Sequence, residues 1–259
     1  MKNTIIGAIA GDLIGSIYEF HNIRTVDFPS FDEKCDFTDD SVLTIALADC
    51  ILHHKDFGKN IWEYAKKYPN RGYGGGFMQW IIRGDLKPYG SFGNGSAMRV
   101  SPVGFAYNDI DPVLCVARQS AEVTTIIQKE LKELKQLRLP FFYARTGKSK
   151  AFIKEYISTA FGYDLNNTVE NLRKTNQFDE TCQGSVPQAV IVFLESTDFE
   201  NAIRLAILIG GDSDTIACMT GGIAAAFYRE ISEEIIRFVS NKLPTEFNDL
   251  IKEFDEKFS

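Results

Sequence analysis

Two acidic and two hydroxyl side chains follow a pair of glycines in residues 210–215, Gly-Gly-Asp-Ser-Asp-Thr. This run separates one apolar helical pattern from a second that is rich in glycine and alanine. Carboxylate and hydroxyl oxygens are the ligands that Mg²⁺, Mn²⁺ and Ca²⁺ prefer. Helix capping is the alternative, because Asp, Ser and Thr are favoured at helix starts and acidic groups stabilise the positive end of the helix dipole. Taken alone, the run indicates capping more strongly than metal binding.

A second helix start carries the same chemistry. Thr38, Asp39 and Asp40 precede a strong helical pattern that we expect to run from Val42 to His54. If the two starts converge, they supply four carboxylates and two hydroxyls, enough for two octahedral ions with several bound waters. The repetition therefore favours a metal site over capping alone. The groups concerned are Thr38, Asp39, Asp40, Asp212, Asp214 and Thr215.

Two further acids lie in the helical pattern near the start of the chain. Asp12 and Glu19 are seven residues apart, about two helical turns, so they project from the same side. Small residues at positions 7, 11 and 15 share one face and permit another helix to approach closely. The alternative is a buried helix whose acids lie at its rim.

Two glycine-rich segments with aromatic residues, 70–76 and 89–95, are typical of loops that expose backbone amides. Such amides can approach a diphosphate or a ribose, and an aromatic ring can stack on a base. Ordinary turn formation is the alternative, since neither segment matches a known nucleotide fingerprint. Beyond the second segment, we expect Arg99 to bind an acid within the protein.

These residues must be positioned by helices, because helical patterns cover most of the chain and no alternating strand pattern, repeat or low-complexity linker interrupts them. One predicted helix opens at Ser185, with Pro187 in its first turn. Another, Ile216 to Tyr228, is rich in small residues and is expected to lie centrally. We therefore predict an all-α fold in a single domain over residues 1–259.

Composition limits the classes of function. The chain has 259 residues, 44% of them hydrophobic, which is enough for one sizeable core. A net charge of -7 argues against an extended surface that binds nucleic-acid phosphates. The five cysteines include no Cys-x-x-Cys pair, so we expect reduced thiols and a cytoplasmic protein. No apolar stretch has the length of a membrane span, so no membrane association is expected.

Five ordered motifs along nearly the whole chain resemble those of the ADP-ribosylglycohydrolase family, the relatives of dinitrogenase reductase-activating glycohydrolase. The motifs are Gly11-Asp12 with Tyr18-Glu19, Thr38-Asp39-Asp40-Ser41, Gly93-Asn94-Gly95-Ser96-Ala97-Met98-Arg99, Gly184-Ser185-Val186-Pro187 and Gly210-Gly211-Asp212-Ser213-Asp214-Thr215.

The resemblance implies a single-domain, all-α orthogonal bundle of the ADP-ribosylglycohydrolase type. It further implies two Mg²⁺ or Mn²⁺ ions and cleavage of the bond between the ribose anomeric carbon of ADP-ribose and an acceptor. The acceptor would be a protein side chain or a small ADP-ribosyl compound, and we expect a monomer. By this likeness Glu19 matches an acid that gates or assists the site. The implied metal ligands are Thr38, Asp39, Asp40, Asp212, Asp214 and Thr215, and the loop around the diphosphate and ribose is Gly90, Ser91, Phe92, Gly93 and Asn94.

The expected chemistry suits these residue types. Glycosidic cleavage passes through an oxocarbenium-like transition state, beside which two cations can position ribose hydroxyls and activate water. Glu19 or Asp40 could complete the proton transfer, and with Asp214 they form the candidate catalytic set. The alternatives are a catalytically impaired member that binds ADP-ribose or serves structurally, and a two-metal phosphoesterase.

One segment departs from the family pattern. Members usually continue with a His-x-His-Pro-Glu-Gly-like sequence whose first histidine helps to line the ligand site, and that histidine is Thr125 here. With codons chosen to fit, loss of one cytosine converts Thr-His-Asn-His-Pro-Glu-Gly-Ile-Lys-Gly into Thr-Thr-Ile-Ile-Gln-Lys-Glu-Leu-Lys-Glu, which matches residues 124–133. We therefore hypothesise a compensated frameshift within residues 125–141. Clean resequencing that returns the codons for Ile126 and Ile127 would establish a true divergence instead.

Overall fold

A computed structural model describes residues 4–125 and 139–258. Of the segment to which the frameshift hypothesis applies, residues 125–141, positions 126–138 lie outside the described residues, and it stays a hypothesis.

The described ranges are built of helices, as predicted from the helical patterns. The strand-type pairing recorded there is one isolated antiparallel bridge between Gly93 and Thr181. The helices are α1 (Ile6–Gly15), α2 (Asp39–His53), α3 (Phe57–Lys67), α4 (Gly75–Arg83), α5 (Gly95–Met98), α6 (Ser101–Ala106), α7 (Ile110–Glu122), α8 (helical residues 139–145), α9 (Lys150–Phe161), α10 (Val169–Thr175), α11 (Cys182–Glu195), α12 (Phe199–Ile209), α13 (Ser213–Tyr228), α14 (Glu233–Lys242) and α15 (Thr245–Phe258), with a 3₁₀ turn at Ser16–Tyr18.

Helices α1 and α13 form the centre of the molecule, and every residue of α1 is buried. Their backbones touch where the sequence has small residues. A Cβ atom added to Gly11 would lie 2.0 Å from the Ala217 carbonyl oxygen, and one added to Gly15 would lie 2.6 Å from the Asp214 Cα. The predicted close approach is thus explained, and it places the end of α1 against the acidic start of α13.

The two acidic helix starts differ in how they are capped. Helix α2 begins at Asp39, three residues before the predicted start, because the Thr38 side chain caps it by accepting a hydrogen bond from the Asp40 amide. Asp212 occupies the capping position of α13, yet its side chain makes no capping hydrogen bond. Capping therefore accounts for Thr38 but not for the Asp212 carboxylate.

The predicted start of α11 at Ser185 is wrong by one turn. The helix begins at Cys182, where the Thr181 side chain accepts a hydrogen bond from the Gly184 amide, so Pro187 lies inside the helix. The Ser185 hydroxyl is used differently, because it donates to the carbonyl oxygens of Asp179 and Thr181. A second local capping signal upstream thus determined the start.

None of the described helices combines the length and the apolar character that a membrane crossing requires.

Candidate active site

The start of α2, the start of α13, the turn after α1 and both glycine-rich loops surround one cleft of about 340 Å³. Sites for small molecules have volumes of about 300–1,000 Å³. Thr38 is the one predicted site residue that does not line the cleft. The predicted residues that do line it are Glu19, Asp39, Asp40, Gly90, Ser91, Phe92, Gly93, Asn94, Asp212, Asp214 and Thr215.

Two groups of three carboxylates lie at the wall of this cleft, and every member except Asp12 lines it. Asp12, Asp40 and Asp214 form one group, and Glu19, Asp212 and Asp214 form the other; within each group the oxygens lie within 4.8 Å of one another. Both groups share Asp214, and all members except Glu19 are buried. Each group offers three oxygens of the type that divalent cations prefer, and water or a ligand would supply the remaining positions.

The electrostatics of the groups also fit a cation. Burial, together with neighbouring carboxylates, raises the pKa of Asp40 and Asp214 well above the usual carboxyl range. Burial and the nearby charges of Asp212 and Glu180 raise the pKa of Glu19 to about 7. In addition, the Asp40 Oδ1 atom is buried without a hydrogen-bond partner among the described residues. A divalent cation would satisfy this oxygen and offset the repulsion between the acids.

Asp12 organises the start of α2, although the sequence did not identify it as a candidate ligand. Its carboxylate accepts hydrogen bonds from the Thr38 amide at 3.0 Å, the Thr38 hydroxyl at 2.6 Å and the Ser41 amide at 3.1 Å. The Ser41 hydroxyl also donates to it. The Thr38 hydroxyl is therefore engaged between Asp12 and the Asp40 amide, which explains its position outside the cleft wall.

Replacing Asp12 with Asn is expected to lower Mn²⁺ affinity by about 10–100-fold, the range for groups that orient metal ligands. The new amide would place N–H donors against N–H and O–H donors of Thr38 and Ser41, and α2 would shift. Isothermal titration with Mn²⁺ measures the effect. Asp255→Asn is the matched control, since Asp255 is also buried and accepts from the Thr4 amide and hydroxyl. Equal Mn²⁺ affinity in both variants would contradict the role given to Asp12.

Asn94 and Thr215 connect the walls of the cleft to the acids. The Asn94 side chain donates to the Asp212 carboxylate at 2.6 Å and to the Ser185 hydroxyl at 2.9 Å. The Thr215 hydroxyl donates to the Asp40 carboxylate at 3.0 Å, which joins the starts of α2 and α13 directly. The sequence analysis treated the convergence of the two helix starts as a condition, and in the structure the two starts do converge.

The Gly210-Gly211 turn before Asp212 is held by side chains that sequence reasoning missed. Both glycines have positive φ angles, 63° and 88°. The Asn22 side chain accepts from the Gly211 amide at 2.7 Å and donates to its carbonyl at 3.0 Å. The Asn176 side chain donates to the Gly210 carbonyl at 2.7 Å, and Arg24 donates to the carbonyls of Ile209 and Asn176. No periodic signal marks these loop residues.

Hydrogen bonds to Thr124 and from Arg99 hold the second glycine-rich loop in place. The Thr124 carbonyl accepts hydrogen bonds from the amides of Tyr89 and Ser91, on either side of Gly90, whose φ is 73°. Buried Arg99 donates to the carbonyls of Gly95 and Ser120 at 2.8 and 2.9 Å. The expected acidic partner of Arg99 is thus replaced by backbone carbonyls. A further acid that the sequence missed, Glu180, also lines the cleft.

Comparisons with known proteins give consistent matches. The sequence model of the family described as ADP-ribosylglycohydrolase matches residues 1–258. Human ADP-ribosylhydrolase ARH3 is 25% identical over 309 aligned positions, which cover 88% of this chain and 85% of that protein. ARH3 of Danio rerio is 26% identical over 308 positions, covering 88% and 82%. A solved structure described as an ADP-ribosylglycohydrolase-related protein complex has a TM-score of 0.75 at 22% identity, covers 99% of this chain and 98% of that chain, and confirms the predicted fold class.

Proposed function

The chain belongs to the ADP-ribosylglycohydrolase family of enzymes, and we propose that it is a metal-dependent hydrolase that cleaves the glycosidic bond between ADP-ribose and an acceptor. The acceptor is a protein side chain or the remainder of a small ADP-ribosyl compound. One observation carries the metal dependence: Asp214, which belongs to both carboxylate groups, lines the cleft with Glu19, Asp40 and Asp212, opposite a glycine-rich loop.

The residues available to hold two cations are Asp40, Asp212, Asp214 and Thr215, with Asp39 on the same cleft wall. Bound Mg²⁺ or Mn²⁺ would position ribose hydroxyls and activate a water molecule. Glu19 is half-buried beside Asp212 and Asp214 and lines the cleft, where a carboxyl group can exchange a proton with a bound reactant. We assign it the proton transfer at the acceptor atom or at the water.

The glycine-rich loop accounts for recognition of ADP-ribose. Its backbone can approach a diphosphate because Gly90 adopts a positive φ and Gly93 carries no side chain. Phe92 is 58% exposed on the same loop and offers a ring face to a base or a sugar. The link from Asn94 to Asp212 fixes the distance between this loop and the acids.

Incubation with Mg²⁺ and peptides ADP-ribosylated on arginine or serine tests the activity. The proposed function predicts release of intact ADP-ribose, identified by mass spectrometry. Release of AMP or phosphate would indicate a phosphoesterase. Binding without release would indicate an impaired member, which is the alternative that the departure at Thr125 favours.

Added Mn²⁺ or Mg²⁺ is expected to raise the melting temperature of chelator-treated protein. An ion at 100 times its Kd stabilises the folded state by about 2.7 kcal/mol. For a chain of this length that corresponds to about 5–10 °C. Differential scanning fluorimetry measures the shift, with Asp111→Asn, a change at an exposed residue of α7, as the matched control. An unchanged melting temperature at millimolar Mn²⁺ would contradict the proposed metal site.

A further inference from the structure

Two segments at the mouth of the cleft are built alike. In residues 19–22, Glu19 lines the cleft, Phe20 follows it, and Asn22 holds the Gly210-Gly211 turn. In residues 176–180, Asn176 holds the same turn, Phe178 follows, and Glu180 lines the cleft. Each segment therefore contributes one acid to the cleft, one aromatic ring, and one side-chain amide that fixes the segment to the Gly210-Gly211 turn.

The two rings meet on the surface. Phe20 is 74% exposed and Phe178 is 44% exposed, and their centroids lie 5.8 Å apart. Among the aromatic pairs in the described ranges, this is the one in which each ring is at least 44% exposed. The hydrogen bonds of Asn22 and Asn176 hold both segments in place, so the pair is a preformed apolar platform and not the tip of a loose loop.

The platform is bordered by negative charge. Glu19 and Glu180 both line the cleft, and exposed Asp179 precedes Glu180. Arg24, two residues beyond the first segment, donates to the carbonyls of Ile209 and Asn176 and forms no ion pair with these three acids. Exposed aromatic faces beside carboxylates attract a guanidinium or an ammonium group.

The geometry points to the platform formed by Phe20 and Phe178, with the carboxylates of Glu19, Asp179 and Glu180, as the docking surface for the acceptor polypeptide, in which a basic residue flanks the ADP-ribosylated one. This inference rests on the proposed function. Neither Phe20 nor Phe178 lines the cleft to which we assign the nucleotide, so the platform is open to the acceptor. The diphosphate of the substrate would bind at the glycine-rich loop, and the basic acceptor polypeptide would bind at the platform.

The test compares two ADP-ribosylated peptides that differ only in the residues flanking the modified one, arginine in one and glutamine in the other. We expect wild-type kcat/KM to be about fivefold higher for the basic peptide, the size of one or two exposed cation–π contacts. The double variant Phe20→Ala/Phe178→Ala should lose this preference and keep its affinity for free ADP-ribose. Phe31→Ala is the matched control, because Phe31 is 42% exposed and its ring centroid lies 5.1 Å from that of Phe238.

Two results would overturn the inference. Equal slowing of both peptides in the double variant would show that the rings serve the fold, and a fall in ADP-ribose affinity would show that they bind the nucleotide. If the wild type turns over neither peptide, the proposed function fails. Equilibrium binding of the same peptides by fluorescence anisotropy still tests the platform, since equal affinities for the basic and neutral peptides would overturn it.

Discussion

Asp214→Asn is expected to lower kcat by about 10²–10³-fold, a loss of about 3–4 kcal/mol of transition-state stabilisation. Its carboxylate belongs to both acidic groups, so a single substitution weakens both candidate cation positions. Asparagine has nearly the same shape and keeps an oxygen that can accept from the Thr215 amide. The lost property is the negative charge, and steady-state turnover with Mg²⁺ measures its effect.

The same variant should not be less stable than the wild type when metal is chelated. Asp214 is buried among Asp12, Asp40 and Asp212, whose charges repel it, so removal of one charge relieves repulsion in the metal-free protein. Thermal denaturation in chelator measures this readout, and Asp111→Asn serves as the control for both readouts. Turnover equal to that of the wild type would contradict the metal-site assignment. Lower stability with normal turnover would indicate a purely structural acid.

Gly11→Ala is expected to lower the free energy of unfolding by about 3 kcal/mol, at the upper end for overpacking. The added Cβ would lie 2.0 Å from the Ala217 carbonyl oxygen and 2.7 Å from the Cys218 amide nitrogen, and backbone atoms cannot move aside as a side chain can. Helices α1 and α13 must separate, which also displaces Asp12 from the start of α2. Urea denaturation gives the stability, and turnover should fall with it.

Gly58→Ala is the matched control for this packing effect. Gly58 is also helical, but a Cβ atom there would meet its nearest neighbour, an Asp56 side-chain oxygen, at 3.4 Å. Because alanine is the better helix former, this variant should be as stable as the wild type or more stable by up to about 1 kcal/mol. Equal stability of Gly11→Ala and Gly58→Ala would show that the α1–α13 contact tolerates separation.

The parts of the site that could be predicted from the sequence are those with a local signal. Asp39, Asp40, Asp212 and Asp214 follow helix-start patterns that repeat along the chain, and the small residues of α1 recur at a helical interval. The helix interiors were predictable for the same reason, since the apolar period is a property of consecutive residues. The family resemblance added the order of the motifs and the substrate class.

The rest depended on contacts between distant segments. Asn22 and Asn176 hold the Gly210-Gly211 turn although they are distant from it in the chain. Asn22 is 189 positions from Gly211, and Asn176 is 34 positions from Gly210. Single polar residues in loops carry no period, so neither they nor Glu180 could be identified. The start of α11 shows a different limit, because two capping signals compete within one turn. Thr181 caps the helix, while the Ser185 hydroxyl is engaged by Asn94 and by the carbonyls of Asp179 and Thr181.

The departure at Thr125 lies next to the cleft. Thr125 is buried, and the carbonyl of adjacent Thr124 accepts the amides of Tyr89 and Ser91 in the glycine-rich loop. A change of residue type at position 125 thus borders the loop to which we assign diphosphate recognition. Resequencing of the gene is the direct test of the frameshift hypothesis and decides whether a histidine belongs at this position.

The measurement that tests the proposed reaction most directly is turnover of an ADP-ribosylated peptide in ¹⁸O-labelled water with Mg²⁺, followed by mass spectrometry. We predict one ¹⁸O atom on the anomeric carbon of released ADP-ribose, above the exchange measured in parallel with free ADP-ribose, and no release in chelator. Label in AMP or phosphate, or release that is unaffected by chelator, would contradict metal-dependent cleavage of the glycosidic bond.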